Sequence, residues 1–188
     1  MSLLERNAHV DIRCDVDPFL GQELLVAYRT AFAPLASRSP VRQVCSDADF
    51  LAEMANPAIF KFVARDATGA ICALSTLTND LSTQPWLSPE YYHARYPRQL
   101  AEGRLYYVGS LLVMPEHQTG PWAHMLLSSV IGWLAERRAT ATFDCCSFNV
   151  DDVRLPRLIE LVARRLALGK LEELGRQEFY ALVLEGSL

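Results

Sequence analysis

RLYYVGSLLVMPEHQTGPWAHMLLSSVIGWLAERR, residues 104–138, reads as a buried strand, a short polar turn and a long amphipathic helix. From Leu105 to Met114 the residues are almost all apolar, aromatic or small, a run of strand length that Pro115 stops. Glu116 to Gly120 is polar and ends in glycine, after which Pro121 suits the first turn of a helix, where no N–H partner is needed. Beyond it Ala123, Leu126, Leu127, Val130, Ile131 and Leu134 keep helical spacing on one face. A strand that turns into a helix N-terminus gathers free backbone N–H groups and the positive end of the helix dipole. That geometry suits an anion, and a diphosphate in particular.

On the N-terminal side of this stretch, residues 8–14 alternate well enough for a first strand. Asp17-Pro18 opens a helix whose apolar face is Leu20, Leu24, Leu25, Tyr28 and Phe32, ending near Pro34. Ser46-Asp-Ala-Asp49 opens a second, short helix as a capping-box variant. Residues 58–65 and 70–78 are two strands joined by Asp66-Ala-Thr-Gly69, a hairpin turn sequence. Residues 79–103 have no steady periodicity and hold three prolines, one Trp and several tyrosines. A connection of that length implies a lid, a binding loop or a partner surface, with a short helix from Ser88-Pro89-Glu90 carrying Tyr91, Tyr92 and Arg95. On the C-terminal side, residues 139–149 read as a strand of small and polar residues with Cys145 and Cys146 on alternate faces. Leu155, Leu158, Ile159, Val162 and Leu166 mark a last helix, closed by Gly169.

The whole chain, 188 residues, is of single-domain size and long enough to bury a core without disulfides or metals. Half its residues are hydrophobic and a fifth charged, the balance of a soluble globular protein. A formal net charge of −4 gives no general attraction to nucleic acid or to an anionic membrane. The N-terminus shows no signal peptide, and no stretch approaches the roughly 18 apolar residues of a membrane span. Five cysteines, odd in number and without zinc-type pairing, imply reduced thiols and a cytoplasmic setting. The four histidines lack metal-ligand spacing, so no metal is expected.

The run Val113-Met-Pro-Glu-His-Gln118-Thr-Gly-Pro-Trp-Ala123 resembles motif A of the GCN5-related N-acetyltransferases (GNAT), and the order strand, helix, helix, hairpin, central strand is the one that family uses. Gln118 and Ala123 fall on the first and last positions of the motif, while Pro121, which has no N–H to donate, takes the central glycine position. Glu172-Glu-Leu-Gly-Arg176 is similar to the family's closing hairpin, with Lys170-Leu171 interrupting the pattern. The resemblance implies one domain over 1–188 of α/β (α+β) class, a GNAT-like acyl-CoA N-acyltransferase fold. Its sheet would be mixed and mostly antiparallel, with a splayed central strand pair flanked by helices and the 79–103 insertion between hairpin and central strand.

It further implies an acetyl-CoA-dependent N-acetyltransferase that moves a short acyl group from coenzyme A to an amine of a small molecule or protein. The cofactor would rest on Leu112, Val113 and Met114 of the strand and on Gln118, Thr119, Gly120, Trp122 and Ala123 of the loop, with Asn149 at the end of the splayed strand. The position where many relatives carry a catalytic Glu holds Tyr107, and the position of their usual acidic Tyr holds Arg165. Tyr107 and Ser110 are therefore the catalytic candidates, Tyr107 as proton donor to the departing thiolate. Tyr28, Phe32, Trp86 and Tyr91 are the acceptor-binding candidates. Phe143, Phe148 and Trp122 would favour a short acyl chain if they face the acyl tunnel. A homodimer is compatible with the family. The alternative is a non-catalytic protein of this fold that senses acyl-CoA or mediates protein contacts, for which Pro121, Tyr107 and Arg165 speak.

Overall fold

The computed structural model describes residues 9–40, 44–166 and 169–182. β1 (His9–Arg13) is followed by α1 (Pro18–Phe32), which begins where the Asp17 carboxylate accepts from the N–H groups of Phe19 and Leu20, at 2.9 and 3.0 Å. A 3₁₀ segment, Ala33–Ser37, turns the chain at Pro34. α2 (Asp47–Ala55) is capped by Ser46, whose hydroxyl accepts from Asp49 N at 3.2 Å. β2 (Ile59–Arg65) and β3 (Ile71–Thr78) form the hairpin, its turn fixed by Asp66 Oδ1 accepting from Thr68 N and Ala70 N. In the 79–103 insertion lie α3 (Pro89–Arg95), capped by the Ser88 hydroxyl as expected, and α4 (Pro97–Ala101). β4 (Leu105–Val113), α5 (Trp122–Glu136) and β5 (Thr140–Thr142) complete the sheet, and α6 (Ser147–Asp151) and α7 (Leu155–Arg165) follow.

The strands lie in the order β1-β2-β3-β4-β5. The first three pairings are antiparallel, and β4 and β5 run parallel. Helices cover both faces. On one, Leu20, Leu24 and Tyr28 of α1 and Phe50 and Met54 of α2 close over Val63, Leu74 and Leu112. On the other, Leu126, Val130, Trp133 and Leu134 of α5 pack on Phe62, Ala64, Leu77 and Tyr106. β3, buried on both sides along its whole length, joins the two cores. Lys61 is fully buried in β2, its ammonium donating to the carbonyls of Cys14 at 3.1 Å and Asn56 at 2.6 Å. Desolvation lowers its pKa.

Two irregularities open the central strand to ligand. β4 carries a bulge against β3: Ser75 pairs with Leu111 and Leu77 with Val108, so Thr76 faces two residues, Gly109 and Ser110. β5 pairs with β4 over only three positions, Leu105 with Thr140 through Tyr107 with Thr142. Past Tyr107 the two strands part, and the edge of β4 is open. The expected strand over 139–149 is therefore corrected to three paired residues. Beyond Thr142 the chain has no ladder partner, and Ser147 to Asp151 turn into the short α6 instead. The expected closing hairpin is corrected too: residues 169–182 contain no strand, and the rest of that tail, from residue 183, lies outside the described residues.

Burial leaves a signature in alkali. Cys72 and Cys145 are pushed up to about 11 from 9.0, and Tyr28 and Tyr107 are raised above 10.0, all chiefly by loss of solvation. The unfolded chain sheds these protons first, so their stabilising contribution is complete below pH 9 and is lost as pH rises toward and beyond 11. Lys61, lowered from 10.5, works the other way but is one group against four. Melting temperature should fall steadily between pH 9 and 11. A flat profile there would show that these groups are solvated.

Candidate active site

The parting of β4 and β5 opens one continuous cleft of about 1170 Å³. One arm runs between the strands and under α5 and α7, walled by Leu127, Val130, Ile131, Phe143, Ile159 and Ala163. The other arm reaches α1 and α2 and is walled by Tyr28, Phe32, Cys45, Glu53, Gln84 and Trp86. They meet at Val108 to Leu111 of the central strand. An apolar channel joined to a polar chamber across an open strand edge fits a long, mostly apolar donor meeting a polar acceptor.

At the junction the floor is Gly109, exposed in the middle of the central strand. A Cβ there would stand 3.0 Å from Thr76 Oγ1, 3.6 Å from Glu53 Oε1 and 3.8 Å from Gln84 Oε1. The bulge holds its shape because Thr76 Oγ1 accepts from Ser110 N at 2.9 Å. Among the described residues the buried side-chain polar atoms without a hydrogen-bond partner are Glu53 Oε1 and Ser75 Oγ, and both residues line this cleft. Such orphaned atoms mark a place that a polar ligand completes. Burial raises the Glu53 pKa, while the hydroxyl of Thr76 and the charge of Lys61 pull it back in part.

The 79–103 insertion stands over the acceptor arm. Trp86 Nε1 donates to Tyr107 Oη at 3.2 Å, and the two rings meet edge to face. The Tyr107 hydroxyl in turn donates to Asp144 Oδ1. Tyr92 is buried and lines the cleft, whereas Tyr91 donates to Leu174 O at 3.3 Å, outside it. Arg95 pairs with Glu172, so insertion and C-terminal tail are tied together.

Of the sequence candidates, Tyr28, Phe32, Trp86, Tyr107, Ser110 and Asn149 come together in the cleft. Tyr91 does not, and its place belongs to Tyr92, the next residue along α3. Asn149 arrives from α6 rather than from a strand end. The Tyr107 hydroxyl is engaged by Asp144, and burial and that carboxylate push its pKa well up. Of the bulky residues, Phe143 lines the cleft, Phe148 stacks under the Arg38 guanidinium at 4.3 Å, and Trp122 packs into the α5 core. Sequence reading missed Glu53, Thr76, Gln84 and Asp144. The available signal was an acid three residues after Phe50 and one before Met54, on the flank of a buried helix stripe.

Leu112, Val113 and Met114 lie beyond the junction on the same strand, Met114 N donating to Cys72 O at 2.9 Å. Residues Gln118 to Pro121 are exposed. Pro115–His117 forms a 3₁₀ turn, within which Gln118 N reaches Pro115 O at 3.4 Å and Gly120 N reaches His117 O at 3.0 Å. A Cβ on Gly120 would stand 3.0 Å from the Trp122 indole and 3.3 Å from His117 O, so a larger residue there would have to shift that ring by a few tenths of an ångström. The first α5 bond runs from Met125 N to Pro121 O, so the N–H groups of Trp122, Ala123 and His124 precede the helical ladder. Nearby, Asp66, Cys72 and His117 bring one potential ligand atom each within 4.8 Å. No ion is assigned to this trio, because Asp66 Oδ1 already accepts three hydrogen bonds inside its own turn.

No protein-family model and no curated protein matches the chain. Solved structures do. An aminoglycoside acetyltransferase from an uncultured soil metagenomic sample, in complex with trehalose, aligns with TM-score 0.55 at 13% identity, covering 94% of this chain and 97% of that one. The aminoglycoside N-acetyltransferase AAC(6')-Iy in complex with CoA aligns with TM-score 0.53 at 15% identity, over 96% and 99% of the two chains. The aminoglycoside 6'-N-acetyltransferase of Acinetobacter baumannii gives 0.52 at 12%, over 94% and 99%. Identities this low establish the fold alone, which this chain shares with those acetyltransferases: a mixed five-stranded sheet, helices on both faces, and a parted central pair.

Proposed function

We propose that this chain is an acetyl-CoA-dependent N-acetyltransferase acting on a cationic small-molecule amine. The observation that carries the reading is the cleft itself: an open β4 edge in this fold, with an apolar arm on one side and the unpartnered Glu53 carboxylate oxygen on the other. The pantetheine arm of the cofactor would lie along the free edge of β4 from Val108 toward Met114, and its pyrophosphate against Thr119 and the N–H groups of Trp122 and Ala123. Gln118 and Gly120 turn their own N–H groups inward, so they frame that loop rather than bind. Asn149 borders the inter-strand arm. Asp49, Glu53 and Asp144 line the acceptor region and favour a positively charged substrate, as do the aromatic walls of Tyr28, Phe32 and Trp86. The solved relatives whose names specify aminoglycosides act on polycationic amines, which suits the same chamber.

In the reaction the amine nitrogen attacks the thioester carbonyl, the C–N bond forms, and the C–S bond breaks. The ammonium proton of the tetrahedral adduct passes to the departing thiolate. Ser110, buried at the bulge, is the candidate hydrogen-bond donor to the developing oxyanion. Tyr107 acts by holding Asp144 and Trp86 in place. Tyr107→Phe should cost about 0.5–1.5 kcal/mol of stability and loosen Trp86, seen as a red shift of its emission, with kcat falling less than about tenfold. A fall of about a thousandfold at unchanged stability would restore Tyr107 as the proton donor.

The test of function is thiol release from acetyl-CoA against a panel of primary amines that includes polyamines and aminoglycosides. Acetylation of at least one cationic amine is expected. Turnover only with neutral or acidic amines would contradict the acceptor assignment. The non-catalytic reading draws on one observation, the inward-turned loop N–H groups beside Pro121. It would gain if acetyl-CoA binds and no amine is acetylated.

A further inference from the structure

Glu53 is a buried acid with one carboxylate oxygen left unpartnered. It lies on α2, one residue before Met54 and three after Phe50, both fully buried, so the helix aims it inward past the edge of the core. Its Oε1 is out of contact with solvent and has no hydrogen-bond partner. Leaving a carboxylate oxygen in that state is costly, and an apolar side chain packed there would have been more stable. The carboxylate is aimed at the one point where the central strand has no side chain, Gly109, whose ideal Cβ position is 3.6 Å from Oε1. A ligand atom lying on that glycine touches Glu53 on one side and the open β4 edge on the other.

Resting on the acyl-transfer reading, we propose that Glu53 is the catalytic residue that receives the acceptor's ammonium group over Gly109 and takes its proton. The step balances. R–NH₃⁺ and the Glu53 carboxylate become R–NH₂ and the neutral acid; the amine lone pair forms the C–N bond, and the C–S pair leaves with the thiolate. The second ammonium proton goes to sulfur, and Glu53 returns its proton to solvent. Gln84 Oε1, 3.8 Å from the same Cβ position, is a second acceptor for an ammonium N–H. Thr76 holds the bulge through Ser110 N and so fixes the floor on which the nitrogen sits.

The electrostatic surroundings suit the task. The groups facing Glu53 are Tyr28 of α1, Cys45 before α2, Lys61 of β2 and Thr76 of β3, with Asp49 one turn away on α2. Lys61 supplies a nearby positive charge, yet its ammonium is already held by two carbonyls and does not close an ion pair over Glu53. Burial outweighs Lys61 and Thr76, so the pKa of the acid is raised from its ordinary value, the direction that strengthens a carboxylate as a base.

The experiment compares the full wild-type chain with Glu53→Gln and Glu53→Asp, reading kcat, KM for the amine and Kd for acetyl-CoA. Glu53→Gln is expected to lower kcat about a hundredfold, to remove the acidic limb of the pH–kcat/KM profile, and to leave the acetyl-CoA Kd within about twofold. Glu53→Asp should recover part of the rate. A Glu53→Gln kcat within about threefold of wild type, or an acidic limb that survives, overturns the proposal. A ¹³C titration of the Glu53 carboxyl provides a readout that needs no substrate. It should titrate above the other glutamates, and titration among them would equally overturn the proposal. Failure of wild type to bind acetyl-CoA at all is a different outcome, since it removes the acyl-transfer reading on which this one stands.

Discussion

Gly109→Val is expected to reduce acyl transfer by about a thousandfold or more, roughly 4 kcal/mol of transition-state stabilisation, in a chain that still folds. The backbone does not require glycine here: Gly109 is not among the positive-φ glycines, and β-branched residues suit strands. What requires it is space. The new Cβ would press on Thr76 Oγ1 at 3.0 Å, and the two methyl groups would fill the gap between the strand and Glu53, where the amine must pass. Displacing Thr76 also disturbs its bond from Ser110 N, at about 1–3 kcal/mol of stability. The check is kcat/KM beside a circular-dichroism melt. Near-normal turnover in a folded Val variant would mean that chemistry happens elsewhere.

Phe50→Ala has the largest expected effect on stability, about 3–5 kcal/mol of an ordinary total of about 5–15. Phe50 is completely buried and stacks on Tyr28 at 4.4 Å between ring centres, with Phe32 on the far side of Tyr28 at 4.7 Å. This stack fastens α2 to α1, and the Tyr28 hydroxyl extends it by accepting from Cys45 N at 2.9 Å. Because Glu53 is one turn from Phe50, the cavity left behind also frees the proposed base to wander. Urea unfolding should show the midpoint falling with little change in slope. A loss below about 1 kcal/mol would show that α2 is held by something other than this ring stack.

The local grammar of the chain was legible. The caps at Asp17, Ser46 and Ser88, the Asp66-to-Gly69 turn and the stop at Pro115 act through short-range hydrogen bonds and fixed dihedrals, so residue type and spacing suffice. The cleft aromatics were legible for a similar reason, since Tyr28 and Phe32 share a helix face and Trp86 sits in a long irregular connection. β5 was not, because alternation in 139–149 says nothing of whether a neighbour lies alongside. Where β4 and β5 part, an extended chain has no ladder to join. Tyr91 and Tyr92 were confused because a short helix rotates neighbours by about a hundred degrees and only tertiary contact says which turns inward. Glu53 was invisible for the deepest reason. An acid in DADFLAEMA reads as helix surface until the bulge opposite it, and the glycine in that bulge, show what it points at.

Calorimetric titration of acetyl-CoA into the full wild-type chain probes the cofactor site itself. Saturable one-to-one binding in about the micromolar range is expected, retained by desulfo-coenzyme A and weakened when the pyrophosphate is removed. No detectable binding up to about millimolar acetyl-CoA would contradict the acyl-transfer reading: the parted strands would then be architecture without a cofactor.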